Sequence, residues 1–433
     1  MKSKLFLNLF LLLSINSFSQ THTIEIHPNG RVASILMTPA EYNSWISNDD
    51  FNNSTISEPL ISDIYQKFED DFDFIFLILN EATQPSNLNY AGQLNRVSNT
   101  IEGTGVPVFD DSSNFGSAGK LKSLMQLTQI NFLLDGPTSH EILHNWGNFV
   151  IPSEAVSDFG TNLTSFPLGG HWGFTGGNTK GQLGGFDQNT LVDNGNGSYT
   201  LDSFGLNANG GNSVPYNDIE LYLMGMIPLS EVAAFDGFTT ITSIADNGND
   251  TWTLEATKTN YTPASLNTLL ENRVPSSTTA QKDFKALVIV ITDAPLTTDE
   301  WDLLDFQAEL YSRNSDDGFS TLYNFWEATN GLGTIEMNNL ESSTLGLDAI
   351  ALNNISMYPN PTSDKVTIEN LNVQEVSLYN LIGQKINNFK VKKSINDYRT
   401  TINTKYDDNN HTRVHTQSCC NLQFNLRCLQ TIL

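Results

Sequence analysis

Cysteine is nearly absent from this 433-residue chain, since all three (Cys419, Cys420 and Cys428) lie close to the C-terminus. Disulfides therefore cannot hold the body together, and its stability must come from a hydrophobic core, with any bound metal in addition. Positive charge is also scarce, with 22 Lys+Arg against 48 Asp+Glu and a net charge of −26. Nucleic acid and anionic membrane surfaces are excluded as partners, because both require clustered basic residues.

Long apolar runs are missing too. After the N-terminus no stretch reaches the ~20 apolar residues that a membrane-spanning helix needs. Residues 1–19 combine two lysines, the apolar stretch Leu5–Leu13 and the small-residue segment Ser17–Ser19. This pattern predicts a signal peptide cleaved before Gln20. We therefore expect a protein exported through the periplasm, secreted or held at the cell surface, with no membrane span after cleavage.

The pattern of apolar residues predicts an α+β body over residues 20–345, with a mixed sheet and an active-site helix. The Gly- and Asn-rich stretch 160–215 is expected to drape over a core formed by other segments. The remaining expected elements are helices at 56–70, 137–149, 216–225, 298–313 and 321–329, strands at 74–79, 106–109 and 285–292, and a hairpin at 239–258.

The histidines carry the most information, because only His140, His144 and His171 lie between residues 28 and 410. Residues 140–144 read HEILH on a predicted helix. Residues i and i+4 project from one helix face, so both imidazoles can reach the same ion. Glu141 lies about 100° further round the helix axis. There it can act as general base on a water molecule polarised by Zn²⁺.

Residues 140–147 (HEILHNWG) resemble the active-site helix of zincin metallopeptidases. Gly147 stands where the metzincin branch has the glycine that turns the chain, whereas Val150 occupies the position of that branch's next ligand. The resemblance implies a zinc metallopeptidase whose third ligand comes from elsewhere in the chain. It covers this helix well and the rest of the body only loosely.

Two residues compete for the role of third ligand. His171 is the remaining histidine of the body, and a distant third histidine resembles the arrangement in leishmanolysin-like enzymes. Glu154 and Asp158 resemble the Glu-xxx-Asp helix of gluzincins, in which the glutamate binds zinc. Only nine residues separate His144 from Glu154, which strains that second geometry. Asp158 is also a candidate acceptor for a ligand imidazole.

Further candidates lie between residues 193 and 250. Tyr216 and Tyr222 are possible donors to an oxyanion, and Glu220 is a candidate for positioning a ligand. Two Asp/Asn/Gly clusters, 193–197 and 246–250, carry oxygens suited to Ca²⁺. Turn formation explains both clusters better, so Ca²⁺ is a secondary expectation beside Zn²⁺.

The C-terminal part opens a new unit. Residues 355–362 (ISMYPNPT) and 376–384 (VSLYNLIGQ) resemble the type A sorting domain of the type IX secretion system. This resemblance implies a small all-β domain over residues 355–390 and a partnership with the secretion machinery. Residues 391–433 form an atypical basic tail with all of the cysteines. A truncation or a change of reading frame in the gene would explain that tail.

These observations predict a secreted zinc-dependent endopeptidase in which Glu141 activates water for attack on a peptide bond. The substrate is expected to lie extended along an edge strand, at 74–79 or 106–109. The alternative is a surface module that binds carbohydrate or protein, or an inactive zincin, with a structural or absent metal. Nothing indicates serine hydrolase or nucleotide chemistry, since neither a GxSxG nor a P-loop motif occurs.

Overall fold

The structure is a computed structural model. It describes residues 22–147, 151, 171–173, 177–202, 211–316, 318 and 321–344, and the backbone of short strands elsewhere. The predicted signal peptide, Val150, Glu154, Asp158 and the three cysteines lie outside the described residues. The chain divides into two units, Met1–Leu345 and Gly346–Leu433.

The first unit contains fifteen named strands and eight α-helices among its described residues. The strands are β1 (Thr23–Ile26), β2 (Val32–Leu36), β3 (Phe74–Leu79), β4 (Gly92–Arg96), β5 (Ser98–Asn99), β6 (Phe109–Asp110), β7 (Ser123–Leu127), β8 (Val156–Ser157), β9 (Asn162–Leu163), β10 (Val192–Gly195), β11 (Ser198–Asp202), β12 (Phe235–Asp246), β13 (Thr251–Tyr261), β14 (Asp283–Thr292) and β15 (Thr334–Glu336). The helices are α1 (Pro39–Ser47), α2 (Ser54–Ile64), α3 (Phe132–Asp135), α4 (Thr138–Leu143), α5 (Asp218–Met224), α6 (Pro263–Leu270), α7 (Thr298–Tyr311) and α8 (Phe325–Ala328).

A seven-stranded mixed sheet forms the centre of this unit, so the expected α+β class is confirmed. Its order is β1-β2-β14-β3-β7-β4, and β15 pairs with β14. Strands β2, β14, β3 and β7 run parallel, whereas β1 and β4 are antiparallel to their neighbours. Strand β3 therefore lies inside the sheet and cannot be the edge strand expected at 74–79. The edge strand of the sheet, beyond β7, is β4.

The two faces of the sheet are both covered. On β3, Phe74, Phe76 and Ile78 pack into a cluster with Ile142 and Trp146 at α4. The alternate β3 residues Ile75, Leu77 and Leu79 pack on the opposite face against α1 and α2. Strands that are buried on both faces have continuous apolar sequences. For this reason the apolar runs at 74–79 and 285–292 predict strands.

A second, four-stranded antiparallel sheet has the order β10-β11-β13-β12. The long hairpin β12–β13 confirms the expectation for 239–258. Strand β11 pairs with β13 along its whole length, and Phe186 and Leu201 join Phe238 and Trp252 in a separate core cluster. The described part of the segment 160–215 supplies Phe186, Tyr199 and Leu201 to this cluster, and the β12–β13 hairpin supplies its other buried residues. Trp172 and Leu183 of the same segment pack into the core cluster of α4. The segment therefore packs against cores formed largely by other segments, as expected.

Other differences concern the ends of elements. Helix α2 stops at Ile64 instead of residue 70, α8 covers only Phe325–Ala328, and the strand expected at 106–109 is the two-residue β6. Strand β6 pairs only with β5, so it is not an edge of the main sheet. None of the described helices has the length and apolar character needed to cross a membrane.

The second unit is described through strands alone: β16 (Ser356–Tyr358), β17 (Lys365–Glu369), β18 (Ser377–Tyr379), β19 (Lys385–Ile386), β20 (Lys390–Ser394), β21 (Arg399–Asn403) and β22 (Phe424–Asn425). They form antiparallel sheets of order β16-β17-β21-β20 and β19-β18-β22. The hairpin β20–β21 lies beyond residue 390, where sequence reasoning ended the domain. Its strands read KVKKS and RTTIN, and with one apolar residue each they give no clear strand pattern.

Candidate metal centre

Helix α4 is fixed against the central sheet from several sides. Trp146, just after the helix, packs edge-on to Phe74 of β3 and to Phe284 of β14. The hydroxyl of Tyr216 donates a 2.7 Å hydrogen bond to the carbonyl oxygen of Ser139. The Ser139 hydroxyl lies 2.9 Å from the hydroxyl of Tyr311 on α7. These contacts make the helix a rigid support for the residues that face away from the core.

The helix is shorter than the expected 137–149. It ends at Leu143, and His144 donates its backbone N–H to the carbonyl of Glu141, three residues back. Such i→i+3 bonds tighten the last turn of a helix. The chain then leaves at Gly147, where a Cβ atom would lie 2.9 Å from Leu183 and 3.2 Å from the Trp172 ring. A larger residue at this position would push the Leu183 side chain aside, so glycine suits the close approach of that segment.

The three histidines of the body converge on one point. The Nε2 atom of His140 lies 2.9 Å from that of His171 and 3.1 Å from that of His144. The Nε2 atoms of His144 and His171 are 3.3 Å apart. Tetrahedral Zn²⁺ with Zn–N bonds of ~2.0–2.1 Å would place its ligand atoms about 3.3 Å apart. The three imidazoles therefore have nearly the spacing of a zinc ligand set.

The hydrogen bonding of His140 supports this interpretation. Its Nδ1 lies 2.8 Å from the carbonyl oxygen of Gln182, which can only accept, so Nδ1 carries the proton and Nε2 presents a lone pair. Burial lowers the pKa of His140 well below its ordinary value, and burial and the adjacent His144 lower the pKa of His171 to about 3. Neutral imidazoles are the form that binds metal.

His171 reaches the cluster on a short backbone pairing. The N–H of Trp172 donates to the carbonyl of Leu183 at 2.7 Å, and Gly173 forms a parallel bridge with Gly184. Trp172 is buried in the same core as α4. The segment that carries His171 is thus held against the segment that accepts the hydrogen bond from His140.

Glu220 on α5 holds this second segment in place. Its buried carboxylate accepts the N–H groups of Leu183 at 2.7 Å, of Gln182 at 3.0 Å and of Asn217 at 3.1 Å. Burial raises the pKa of Glu220 to about 8, and the three backbone donors act in the opposite direction. Through residues 182 and 183 a single carboxylate positions both His140 and His171. The sequence expectation that Glu220 positions a ligand remains a prediction with this geometric support.

We expect Glu220→Gln to lower zinc affinity about 10- to 100-fold, the range found when a partner of a metal ligand is lost. The amide NH₂ would face backbone N–H groups and disturb residues 182 and 183. Competition with a chromogenic chelator would measure the affinity. Glu231→Gln, at an exposed glutamate just beyond α5, serves as the matched control. Equal zinc affinity in both variants would show that Glu220 only stabilises the fold.

Glu141 lies beside the histidines at the edge strand. It is 6 % exposed, and the backbone N–H of Leu94 in β4 hydrogen-bonds its carboxylate. A Cβ atom at Gly92 would lie 2.7 Å from Glu141 Cγ, so only glycine leaves room for this side chain. Burial raises the pKa of Glu141 to about 8, and a nearby cation would act in the opposite direction and favour the carboxylate.

A cavity of about 390 Å³ opens in front of these groups. Its described lining includes His140, Glu141, His144 and His171. The opposite wall consists of β4 and the residues before it, namely Asn89, Tyr90, Gly92, Gln93, Leu94 and Arg96. Sequence reasoning missed this wall, including Tyr90 and Arg96, because it read 81–120 mainly as loop. It also missed Gln182, whose contact with His140 spans 42 positions of the chain and leaves no local pattern.

The remaining candidates lie elsewhere. Tyr216 and Tyr222 are buried and are not among the described residues that line the cavity. The hydroxyl hydrogen of Tyr216 is already donated to Ser139, so its place in the structure is that of a support for α4. The clusters 193–197 and 246–250 form the turns of the β10–β11 and β12–β13 hairpins.

Comparison with known proteins identifies the C-terminal part of the chain. Residues 356–406 match the secretion system C-terminal sorting domain. This part is a type IX secretion sorting domain. The sorting domain partners with the type IX secretion machinery, and the protein is exported to the cell surface or beyond. The match runs past residue 390 and includes the β20–β21 hairpin, so the domain is longer than expected.

The sorting domain also accounts for the similarity to a curated protein. The chain is 38% identical over 58 residues to ulvan lyase NLR42 of Nonlabens ulvanivorans, in the C-terminal region. The match covers 13% of this chain and 11% of that protein. No solved structure matches the chain. These similarities concern export and carry no information about the chemistry of the first unit.

Proposed function

We propose that the first unit is a zinc-dependent peptidase that works outside the cell. The observation that carries the proposal is the convergence of three imidazole Nε2 atoms within 3.3 Å of one another, beside a buried glutamate and an open cavity. Three neutral nitrogen ligands with one position left for water or substrate are the usual set for catalytic zinc.

The edge of the main sheet supports a peptide as substrate. Strand β4 is the last strand on its side, and no described strand pairs with its outer edge. An extended peptide can add to such an edge through backbone hydrogen bonds. Because β4 also lines the cavity and contacts Glu141, a peptide held there would present its backbone to the histidines.

The residues of the chain would divide the work as follows. His140, His144 and His171 would hold the metal, with His140 oriented by Gln182. Bound zinc would act as a Lewis acid that lowers the pKa of a water molecule and polarises the substrate carbonyl. Glu141 would accept the proton from the attacking water and deliver it to the leaving amine. The N–H of Leu94 keeps the Glu141 carboxylate at the cavity wall.

The full-length chain should bind about one zinc per molecule and cleave unfolded proteins. Elemental analysis measures the metal, and gel electrophoresis of casein digests measures cleavage. Removal of zinc by a chelator should abolish cleavage, and added Zn²⁺ should restore it. A folded chain that binds no zinc would contradict the proposal. A chain that binds zinc but cleaves nothing would indicate a binding module or an inactive zincin.

A further inference from the structure

We propose that Arg96 determines specificity by binding a carboxylate of the substrate close to the scissile bond. The proposal rests on the proposed peptidase function and names the chemical class of peptide that the same site selects. Its evidence is the placement of Arg96 on β4 and the absence of an acceptor for its guanidinium among the described residues.

The register of β4 fixes the direction of Arg96. Alternate residues of a strand face the same side of the sheet, and Gly92 faces Glu141. Leu94, two residues on, packs into the core cluster of α4. Arg96 is next in this series, and it lines the cavity together with the three histidines. The intervening residues Gln93 and Asn95 hydrogen-bond Asn52, and Gln93 also contributes to the cavity lining.

The guanidinium of Arg96 has an unusual environment for this chain. Its Nη1 atom is buried and has no hydrogen-bond partner in the part of the chain that the structure describes. By contrast, Arg31 binds Asp305, Arg313 binds Glu309, and Arg273 donates to the backbone carbonyls of α5. A chain with 48 Asp+Glu could readily have supplied a partner here. A buried guanidinium nitrogen without a hydrogen-bond partner is unfavourable, so the arrangement points to an anion from outside.

The chemistry of arginine selects the ligand. Its guanidinium stays protonated in proteins and binds carboxylates through two parallel hydrogen bonds. Among the described residues that line the cavity, Glu141 is the one carboxylate, and it faces β4 at Gly92. Arg96 lies two residues beyond Leu94, which is ~7 Å along a strand. A peptide in extended form would therefore present its carboxylate about two residues from the bond that is cleaved.

That carboxylate has two possible sources, an Asp or Glu side chain or the free C-terminus of a peptide. Cleavage of a proteome-derived peptide library by the full-length zinc-loaded chain separates them. An internal acidic residue would be enriched at a fixed distance from the cut, whereas a terminal carboxylate would place the cuts at a fixed distance from the C-terminus. Arg96→Gln should reduce the preference for peptides that carry this carboxylate by about 10- to 100-fold. Arg313→Gln, at a half-buried arginine that pairs with Glu309 away from the cavity, should retain it.

A binding experiment tests the same residue without cleavage. Glu141→Gln protein loaded with zinc is titrated with the pentapeptide Ac-AAEAA-NH₂ and its Gln analogue, and with Ac-AAAAA as free acid and as amide. One of the two acids should bind at least 10-fold more tightly than its neutral partner, and Arg96→Gln should remove the difference. Arg96→Lys keeps the positive charge but cannot donate two parallel hydrogen bonds to a carboxylate. It should give an intermediate difference in affinity between the acid and its neutral partner. Carboxylates also bind zinc directly, so unchanged zinc content in these variants is the required control.

The outcomes separate this inference from the proposed function. Cleavage without any carboxylate preference, or a preference that persists in Arg96→Gln, would overturn the role of Arg96 and leave the peptidase intact. Carboxylate-dependent binding that needs Arg96, in a wild type that cleaves nothing, would overturn the peptidase and keep the anion site. Equal binding of acids and neutral analogues without cleavage would overturn both.

Discussion

Glu141→Gln is expected to keep one zinc per chain while kcat/KM for peptide cleavage falls by about 10² to 10⁴-fold, the usual contribution of a general base. The amide has nearly the shape of the carboxylate, and its oxygen can still accept the N–H of Leu94. It cannot accept a proton from water. Zinc analysis, the melting temperature and cleavage of a quenched peptide would be measured on the same preparation.

The matched control for this variant is Glu102→Gln, at an exposed glutamate outside the cavity. It should resemble the wild type in zinc content, melting temperature and rate. A Glu141→Gln protein that cleaves at the wild-type rate would remove Glu141 from the mechanism. Loss of zinc from that variant would show instead that the carboxylate takes part in holding the metal.

His171→Ala is expected to lower zinc affinity by more than about 100-fold, the upper range for losing an outer partner of a ligand. Two imidazoles on one helix would remain, which is one ligand fewer than a catalytic zinc site normally has. Zinc retained after dialysis against a chelator of known affinity measures the effect. Cleavage should disappear in parallel with the metal.

The control is His27→Gln, since His27 stacks on Trp301 and lies outside the cluster. A His171→Ala protein with wild-type zinc affinity would contradict the three-histidine site. The alternative ligand from the sequence is Glu154, so Glu154→Ala would then be expected to lose the metal. The described geometry favours His171, whose Nε2 is within 3.3 Å of both helix histidines.

The convergence of His140 and His144 was predictable because its signal is local. Two histidines four residues apart need only one turn of helix to meet, and that turn is present although the helix ends at Leu143. The continuous apolar run of β3 was equally clear, because both faces of that strand are buried. Such features depend on near neighbours in the chain, and therefore appear in the sequence.

The cavity wall was not predictable in this way. Strand β4 reads GQLNR, which lacks the apolar alternation of a strand because no described strand pairs with its outer edge and half of its side chains face polar groups. The contribution of Glu220 to the site depends on three backbone N–H groups, two of which belong to residues almost forty positions away. Every residue except proline has a backbone N–H, so a carboxylate that accepts backbone hydrogen bonds does not require particular residue types as its partners. The sequence therefore contains no side-chain pattern that predicts this contact.

The outer edge of β4, with which no described strand pairs, also affects whether two copies of this protein associate. An unpaired strand edge is a template for any extended segment, including β4 of a second molecule. The edge cannot be covered permanently if it is to receive a peptide. Its polar sequence and the charge of −26 on the chain act against such pairing, because like-charged molecules repel. The acidity that argues against nucleic acid as a partner would thus also keep the edge of β4 available to the proposed substrate.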